Sequence, residues 1–450
     1  MILLRTMKNI SSLNIVASIL LFATAILAAV VANSSLAPVY TDFLSHELHL
    51  RLGDFNLFSH GGQPLTMLQF INDCLMTIFF LAVGLEIKRE LLVGELSSFR
   101  KAILPFIAAC GGMILPVIIY SLSVEPQSPD MQGMAIPMAT DIAFSLGVLS
   151  LLGNRVPLCL KIFLTAFAVV DDIGGILVIA IFYSSHVSYW YLVAAFLLYL
   201  FLYCMGRFGI TQKLFYLFFG VIIWYLFMQS GIHSTISGVI LAFVIPARPR
   251  LDAGKYIKQI RTIIDEFPVM KSDNIVLTKE QIAKLKRVER ASDYVISPLQ
   301  SLEDNLHGVV NFIILPLFAF ANAGVVLGGN GSIIGNVSLA VALGLLFGKF
   351  WGIYTFTWAA VKLGMARMPK GMNWKNLTGV SLLGGIGFTV SLFIANLSFA
   401  DEYPALLNQA KFGVLLGTIL SGLLGYIILN KVLPQKVDSN VNITSKSTEG

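Results

Sequence analysis

The chain has 450 residues, of which only 12% are charged and 56% are hydrophobic. Soluble proteins carry about twice that share of charge, and no globular arrangement could cover so many apolar side chains. The composition therefore excludes a soluble protein and predicts an all-α polytopic membrane protein. The net charge of +6 does not indicate nucleic-acid binding, because the basic residues are scattered between apolar runs.

Twelve apolar runs are long enough to cross a bilayer, which takes about 20 residues. They lie near residues 13–32, 67–92, 103–123, 134–152, 158–184, 188–206, 213–228, 231–246, 303–328, 336–362, 376–398 and 408–431. The first is too long for the core of a cleaved signal peptide. We predict one transmembrane domain over residues 1–433 and a disordered tail over residues 434–450.

The basic residues predict the orientation of these spans. If the N-terminus is cytoplasmic, 28 of the 31 Lys and Arg residues face the cytoplasm, Arg51 and Lys411 face outward, and Lys349 lies within a span. Cytoplasmic loops of membrane proteins carry such an excess of basic residues. Both termini are therefore predicted to be cytoplasmic.

Two long loops connect the spans. Residues 33–66 are predicted to face outward and contain turn residues around Gly61-Gly62, which indicates an ordered cap or edge hairpin. Residues 247–302 are predicted to face the cytoplasm. There Thr278 is expected to cap a short helix, which either lies at the lipid headgroups or is a solvated linker.

Five charged residues lie inside predicted spans: Asp73, Asp141, Asp171, Asp172 and Lys349. A charge at mid-bilayer costs at least about 2.5 kcal/mol, so each is a candidate functional residue. Asp73 is the weakest candidate, because it is close enough to the outer end of its span to reach water. Lys349 either extends toward the interface or forms a buried ion pair with a carboxylate.

The strongest signal is the adjacent pair Asp171 and Asp172 in the middle of the fifth predicted span. Adjacent helical positions point about 100° apart, so one carboxylate can meet a cation in a cavity while the other meets a fixed partner. The two carboxylates are expected to titrate as a coupled unit. A site that accepts a proton when empty and binds a cation when deprotonated makes the two ions competitors, which is sufficient chemistry for exchange.

Two predicted spans carry residues that interrupt helices. Pro137 precedes Thr140 and Asp141 in the fourth span, and glycines occupy positions 384, 385 and 387 in the eleventh. A proline in the first helical turn and close packing at glycine are the simpler explanations. Interruptions in the second span of each of two triplets instead indicate inverted-topology repeats, which are typical of transporters.

Six motifs are spread along the chain from the second to the eleventh predicted span. They are Phe79-Phe-Leu-Ala-Val-Gly-Leu-Glu-Ile-Lys-Arg-Glu90, Ala135-Ile-Pro-Met-Ala-Thr-Asp-Ile-Ala-Phe144, Val170-Asp-Asp-Ile-Gly174, Leu315-Pro-Leu-Phe-Ala-Phe-Ala-Asn-Ala-Gly324, Gly348-Lys349 and Leu382-Leu-Gly-Gly-Ile-Gly-Phe-Thr389. In residues and order they resemble the NhaA-type sodium/proton antiporter family, and the resemblance covers nearly the whole chain.

The resemblance implies an ion-binding site with assigned roles. Asp172 would be a principal cation ligand, and Asp171 would exchange between protonation and an ion pair with Lys349. Thr140 and Asp141 would lie at the crossing of two broken helices. There Asp141 would offset the dipoles of helix N-termini, and Lys349 those of helix C-termini.

It also implies a secondary antiporter of the bacterial inner membrane that moves Na⁺ or Li⁺ outward and protons inward by alternating access. Such exchange is electrogenic and is switched on at alkaline pH. The expected partners are these ions and membrane lipid, with no nucleic acid and no cofactor, and a homodimer is left open.

The family's pH sensing points to a cytoplasmic funnel. Its residues here are Glu86, Arg89, Glu90, Glu303 and His307, and ordinary juxtamembrane charge is the alternative. Ser301 and Asp304 stand where basic or histidine residues are frequent in the family. The pH profile is therefore the implied property that transfers least well to this chain.

Two other functions compete with ion exchange. An intramembrane aspartyl protease needs two aspartates on different helices, usually with a GxGD pattern, whereas Asp171 and Asp172 are adjacent and the chain has no GxGD. A sodium-coupled transporter of organic anions would keep the fold. No arginine lies deep inside a span to bind such a substrate.

Overall fold

The computed structural model describes residues 2–49, 51–52, 55–56, 58–60, 63–183, 187–248, 253–267, 278–327, 333–400 and 402–434. The predicted tail at 434–450 lies outside the described residues except for its first position, and so does the turn at Gly61-Gly62. Most of what is described is helical.

Long apolar runs become helices in lipid because a helix satisfies its backbone hydrogen bonds within one segment. In chain order the α-helices are α1 (Ile2–Ala32), α2 (Ala37–Ser45), α3 (Met67–Val93), α4 (Phe99–Ser123), α5 (Ile142–Leu151), α6 (Leu158–Phe182), α7 (Tyr189–Arg207), α8 (Lys213–Ser230), α9 (Thr235–Val244), α10 (Ala253–Asp265), α11 (Lys279–Val295), α12 (Pro298–Asn322), α13 (Asn336–Lys362), α14 (Trp374–Leu383), α15 (Phe388–Phe399) and α16 (Pro404–Val432).

Tighter and wider helical turns occur at particular points. A 3₁₀ helix, Pro129–Met138, precedes α5, and shorter ones lie at Glu95–Ser97 and Gly153–Arg155. Single π-helical segments interrupt α3 at Ile71–Leu75, α12 at Val310–Ile314 and α13 at Gly344–Gly348. π-Helical turns inside α-helices occur frequently at functional sites.

Nine helices of the described chain are long and apolar enough to cross a membrane, namely α1, α3, α4, α6, α7, α8, α12, α13 and α16. Two pairs of helices pass the same test together, with a bend of 46° between Pro129–Met138 and α5 and of 44° between α14 and α15. Helix α9 falls in the eighth predicted span but has only ten residues. The protein is thus an all-α polytopic membrane protein with 9 to 11 candidate spans, and the count of twelve stays a prediction.

Three groups of buried apolar side chains hold these helices together. The first joins α1, α3, α12 and α15 around Phe80, Phe318 and Phe393. The second joins α4, α6 and α13 around Phe167 and Ile353, and the third joins α3 to α7, α8 and α9. In the most apolar stretch of α13, 67% of the residues are buried, against 17% in α7. Helix α13 is therefore central and α7 is peripheral.

The loop predicted to be an outer cap contains short strands. They are β1 (Glu47–Leu48), β2 (Arg51–Leu52), β3 (Phe55–Asn56), β4 (Ser59–His60) and β5 (Gln63–Thr66). Strand β5 pairs antiparallel with β1 and β4, and β2 pairs with β3. Helix α2 is anchored by Tyr40, whose hydroxyl donates to the carbonyl oxygen of Phe320 at 2.7 Å. Burial raises the pKa of Tyr40 to about 12.

The second long loop carries α10 and α11. The amide of Gln281 donates to Oγ1 of Thr278 at 3.3 Å, and the amide of Thr278 donates to Oε1 of Gln281 at 2.9 Å. This reciprocal pair is a capping box and confirms the predicted cap. The choice between lipid headgroups and solvent as the surroundings of α11 stays a prediction.

Candidate ion-binding site

The first break in a helix pair is organised by Asp141. Its Oδ1 accepts a hydrogen bond from the amide of Phe144 at 3.0 Å and so caps α5. Its Oδ2 accepts from the amide of Thr389 at 3.2 Å and from the Thr389 hydroxyl at 2.7 Å. Thr389 is the second residue of α15, so one carboxylate binds the free amides at the N-termini of two helices.

Further hydrogen bonds join the two breaks. The hydroxyl of Thr140 donates to the carbonyl oxygen of Gly384 at 2.8 Å. The backbone amide of Asp141 donates to the carbonyl oxygen of Ile386 at 2.7 Å. The hydroxyl of Ser145 donates to the carbonyl oxygen of Leu383 at 3.0 Å. Each bent helix pair thus supplies hydrogen-bond partners for backbone groups of the other pair. These groups are satisfied although they are buried away from water.

Glycine allows this close approach. A Cβ atom at Gly387 would lie 2.9 Å from the carbonyl oxygen of Ala139, and one at Gly344 would lie 2.7 Å from Cβ of Pro137. Real side chains do not pack at such distances without displacement. The glycines of the eleventh predicted span therefore allow close packing, and the interpretation of the bent pair α14 and α15 as one interrupted span stays a prediction.

Asp171 and Lys349 form a buried ion pair between α6 and α13. Nζ of Lys349 donates to Oδ2 of Asp171 at 2.6 Å, and both side chains are 0% exposed. The ammonium group also lies 5.5 Å from the centre of the Phe167 ring, within cation–π range. Lys349 has no other hydrogen-bond partner among the described residues. The offset of helix C-terminal dipoles by Lys349 stays a prediction.

Asp172 points away from this pair and faces a cavity. It is 8% exposed and makes no hydrogen bond to another described residue. The cavity has a volume of about 220 Å³, and its polar lining consists of Glu86, Arg89, Thr140, Asp141, Asp172, Glu303, His307, Asn311 and Thr389. The adjacent carboxylates therefore have different surroundings, as their 100° separation on a helix requires.

Four of the five residues of the predicted funnel line this cavity, and the fifth, Glu90, is paired with one of them. We call the five the charged mouth. Arg89 pairs with Oε1 of Glu303 at 2.6 Å and with Oε1 of Glu90 at 3.1 Å. The other oxygen of Glu90 accepts from the amide of Glu95 at 3.1 Å, and the ring of His307 lies within 3.3 Å of Nδ2 of Asn311. Glu86 lines the cavity.

Asp73 belongs neither to the lining of the Asp172 cavity nor to the charged mouth. Its carboxylate lies 3.4 Å from Nε2 of His233, and its side chain is 27% exposed. It stands near the start of α3, whereas Glu86 and Arg89 stand near the end of that helix. The fifth intramembrane charge is thus separate from the Asp172 cavity.

Two residues of the crossing carried no charge signal in the sequence. Thr389 supplies two of the donors to Asp141, and Ser145 joins α5 to α14. Hydroxyl residues are common in membrane helices, because they can bond to their own backbone. The sequence signals for these two positions were their nearness to a proline or a run of glycines and, for Thr389, its place at the end of the last of the six motifs.

Chemically, the site offers one carboxylate for ions and a set of fixed charges around it. Asp172 can take a proton or a hard cation, which prefers oxygen ligands. Asp141 and Thr140 lie on the same cavity wall but are already engaged in the crossing. Asp172 and Glu86 are therefore the two acids lining this cavity that make no hydrogen bond or ion pair within the described part of the chain, and Asp172 is the one beside the buried Asp171–Lys349 pair.

Comparison with known proteins gives a consistent result. A family model described as "Na+/H+ antiporter 1" matches residues 8–429. Over 434 residues the chain is 74% identical to a Bacteroides thetaiotaomicron protein named Na(+)/H(+) antiporter NhaA, which covers 96% of this chain and 99% of that one. A protein of the same name from Porphyromonas gingivalis is 47% identical over 432 residues, 95% of each chain. One named NhaA 1 from Saccharophagus degradans is 42% identical over 93% of this chain and 89% of that one.

Proposed function

Because the chain belongs to the Na⁺/H⁺ antiporter family of that model, we propose that it exchanges Na⁺, or Li⁺, for protons across a bacterial inner membrane. The family resemblance of the six motifs is confirmed. The family is one of transporters rather than enzymes, which argues against the intramembrane protease.

The observation that carries this proposal is the position of Asp172. Its carboxylate lines the cavity without a hydrogen-bond partner in the described chain, while the neighbouring Asp171 is neutralised by Lys349 at 2.6 Å. A cation and a proton cannot both occupy the same carboxylate oxygens. Binding of one therefore releases the other, which couples the two fluxes.

Asp171 and Lys349 tune that competition. When Na⁺ binds beside them, a second positive charge enters a region of low dielectric constant, where charges interact strongly. The pair can respond by transferring or releasing a proton, so it titrates together with Asp172. Asp141 and Thr140 hold the crossing in register while the occupant of the site changes.

Alternating access uses the two bent helix pairs as an inverted-topology repeat. The cavity extends from Asp172 to the charged mouth. On the opposite side, Phe80, Phe318 and Phe393 pack into a buried cluster with ring centroids 5.5 and 6.3 Å apart. Rocking of one repeat against the other would close the mouth and part this aromatic cluster.

The mouth faces the cytoplasm, and both termini lie there too. This assignment rests on the 28 basic residues that one orientation collects on a single side. With that orientation α9 is the short eighth of twelve spans. Asp73 and His233 then lie toward the outer face.

The charged mouth makes exchange depend on cytoplasmic pH. It brings together three carboxylates, an arginine and a histidine: Arg89 is paired with Glu90 and Glu303, and Glu86 and His307 line the same cavity. The net charge of such a cluster changes with proton concentration, and a cation must pass it to reach Asp172. Exchange therefore rises as the cluster loses protons.

Reconstitution in liposomes tests the proposal. A pH gradient is imposed, Na⁺, Li⁺ or K⁺ is added without any organic solute, and dissipation of the gradient is followed at set membrane potentials. We expect dissipation with Na⁺ or Li⁺ and none with K⁺. A requirement for an organic anion would instead support the sodium-coupled alternative and overturn exchange.

Asp172→Asn is the decisive variant, and Asp42→Asn is its matched control. Asp42 undergoes the same change on the exposed helix α2. We expect Asp172→Asn to abolish exchange and Asp42→Asn to retain it. Full exchange by folded Asp172→Asn protein would exclude Asp172 as the shared site.

A further inference from the structure

Three asparagines from three different helices meet in a buried cluster away from Asp172, and we call them the amide cluster. Asn72 lies in the π-helical segment of α3, Asn322 is the last residue of α12, and Asn396 lies in α15. Asn322 is 0% exposed and Asn396 is 6% exposed. Such buried polar groups are retained at a cost unless each is satisfied or serves a function.

The directions of the hydrogen bonds in the amide cluster are determined by its acceptors. Nδ2 of Asn396 donates to Oδ1 of Asn322 and to the carbonyl oxygen of Leu392, each at 2.8 Å. Nδ2 of Asn322 donates to Oδ1 of Asn72 at 2.8 Å and to the carbonyl oxygen of Phe318 at 3.0 Å. Rotating either amide by 180° would place oxygen against oxygen.

One acceptor is left over by this arrangement. Both Nδ2 protons of Asn322 and both of Asn396 are already donated. Oδ1 of Asn396 is buried and has no hydrogen-bond partner in the described part of the chain. An unsatisfied buried acceptor is unfavourable, so this oxygen is suited to a positively charged or donating ligand.

The cluster lies on the side of Asp172 that is opposite the charged mouth. Asn72 and Glu86 are 14 residues apart on α3, or about 21 Å along a helix axis. Asn396 is seven residues beyond Thr389 on α15, or about 10 Å from the crossing of the two breaks. Phe393 and Phe318 stand one helical turn before Asn396 and Asn322, and their ring centroids are 6.3 Å apart.

Oδ1 of Asn322 already accepts hydrogen bonds from Asn396 and from Asn72, and Oδ1 of Asn72 accepts one from Asn322. We propose that the amide cluster holds a second cation site, in which the remaining acceptor, Oδ1 of Asn396, binds Na⁺ on its way between Asp172 and the outer face. This inference rests on the proposed Na⁺/H⁺ exchange and adds an occupant and a route on the outer side. Amide oxygens are hard ligands that suit Na⁺.

Because the site is neutral, it suits an Na⁺ ion that passes through rather than one that stays bound. A carboxylate here would hold Na⁺ more strongly and would also take protons. A neutral amide holds Na⁺ less strongly and takes no proton at physiological pH. Weak binding at a second position allows an ion to leave, because conduction needs sites that attract an ion without trapping it. Asn72 adjoins Asp73, the nearest fixed negative charge on α3.

The test compares the two faces of the membrane. Exchange is measured in right-side-out and in everted membrane vesicles, with the Na⁺ concentration varied on the accessible side, for the wild type and for Asn396→Leu. We expect the KM for Na⁺ at the outer face to rise about tenfold, which equals about 1.4 kcal/mol. The KM at the mouth face should change less than twofold.

A second variant and a control keep the test decisive. Asn396→Ser keeps a donor and an acceptor in a shorter side chain, so the outer-face KM should rise by a smaller factor than with Asn396→Leu, even if Asn396→Leu does not fold. Asn408→Leu removes an amide that bonds only to Val326 among the described residues, and it should leave both KM values unchanged.

The outcomes separate this inference from the proposed function. Equal changes at both faces, or none with either Asn396 variant, would mean that the amide cluster is purely structural and would overturn the inference. Loss of Na⁺-dependent exchange by the wild type itself would refute the proposed function first. Asp172→Asn should abolish exchange measured from either face, whereas the Asn396 variants should not.

Discussion

The ion site and the charged mouth both contain an acid–base pair, but burial separates them. Asp171 and Lys349 are 0% exposed and 2.6 Å apart. Arg89 and Glu303 are also 2.6 Å apart, but the arginine side chain is 36% exposed. Equal distances thus correspond to unequal energies, because water screens the second pair and not the first.

This difference suits two different tasks. Removing one partner of a buried pair leaves an unpaired charge and costs about 3–5 kcal/mol, so the site has few tolerated charge states. A partly exposed pair contributes about 0–1 kcal/mol, so the mouth can change its charge without unfolding. Selective ion exchange needs the first property, and graded control needs the second.

The largest expected effect is on the buried pair. Lys349→Leu leaves the Asp171 carboxyl unpaired, so we expect loss of most exchange and a clear drop in Tm in detergent, by the equivalent of several kcal/mol. Lys349→Leu combined with Asp171→Asn should recover most of the lost Tm. If the double variant is as unstable as the single one, the buried ion pair is not the cause of the difference in energy between the ion site and the charged mouth.

A smaller effect is expected at the crossing of the two breaks. Asp141→Ala removes the acceptor shared by α5 and α15 and should lower stability by about 2 kcal/mol. Thr389→Val removes only the hydroxyl donor and should lower it by about 1 kcal/mol. Thermal unfolding of both variants, with Asp42→Asn as reference, checks this order, and the reverse order would contradict it.

The mouth should respond weakly. Arg89→Gln and Glu303→Gln are each expected to change the maximal exchange rate less than about fivefold, the equivalent of about 1 kcal/mol. The effect should shrink further when choline chloride raises the ionic strength. A loss as complete as that of Lys349→Leu would show that the mouth is as tightly coupled as the ion site.

The last expected effect concerns Tyr40, which lies outside both regions. Its pKa is raised to about 12 from about 10 in an unfolded chain, so folding favours the neutral hydroxyl. That contribution is complete below pH 10 and is lost as pH rises from 10 to 12. Tyr40→Phe should lower stability by about 1 kcal/mol and remove this alkaline dependence. An unchanged alkaline unfolding curve would contradict it.

The parts of the site differed in how visible they were in the sequence. Asp171, Asp172 and Lys349 were identified because an ionisable residue inside an apolar run is rare. The amide cluster was not, because asparagine carries no charge and its three members come from distant parts of the chain. Asp73 stands out in the sequence as a charge within an apolar run, but its pairing with His233 cannot be read from either residue alone.

By itself the sequence determined the class of protein, the approximate position of its helices, the predicted orientation and the family. These follow from apolar length, the distribution of basic residues and local motifs, which are properties of contiguous segments. Only the tertiary structure decided that Asp171 meets Lys349 across 178 positions while Asp172 faces the cavity. The physical reason is that burial and pairing of a charge depend on the helices packed around it, and these come from all parts of the chain.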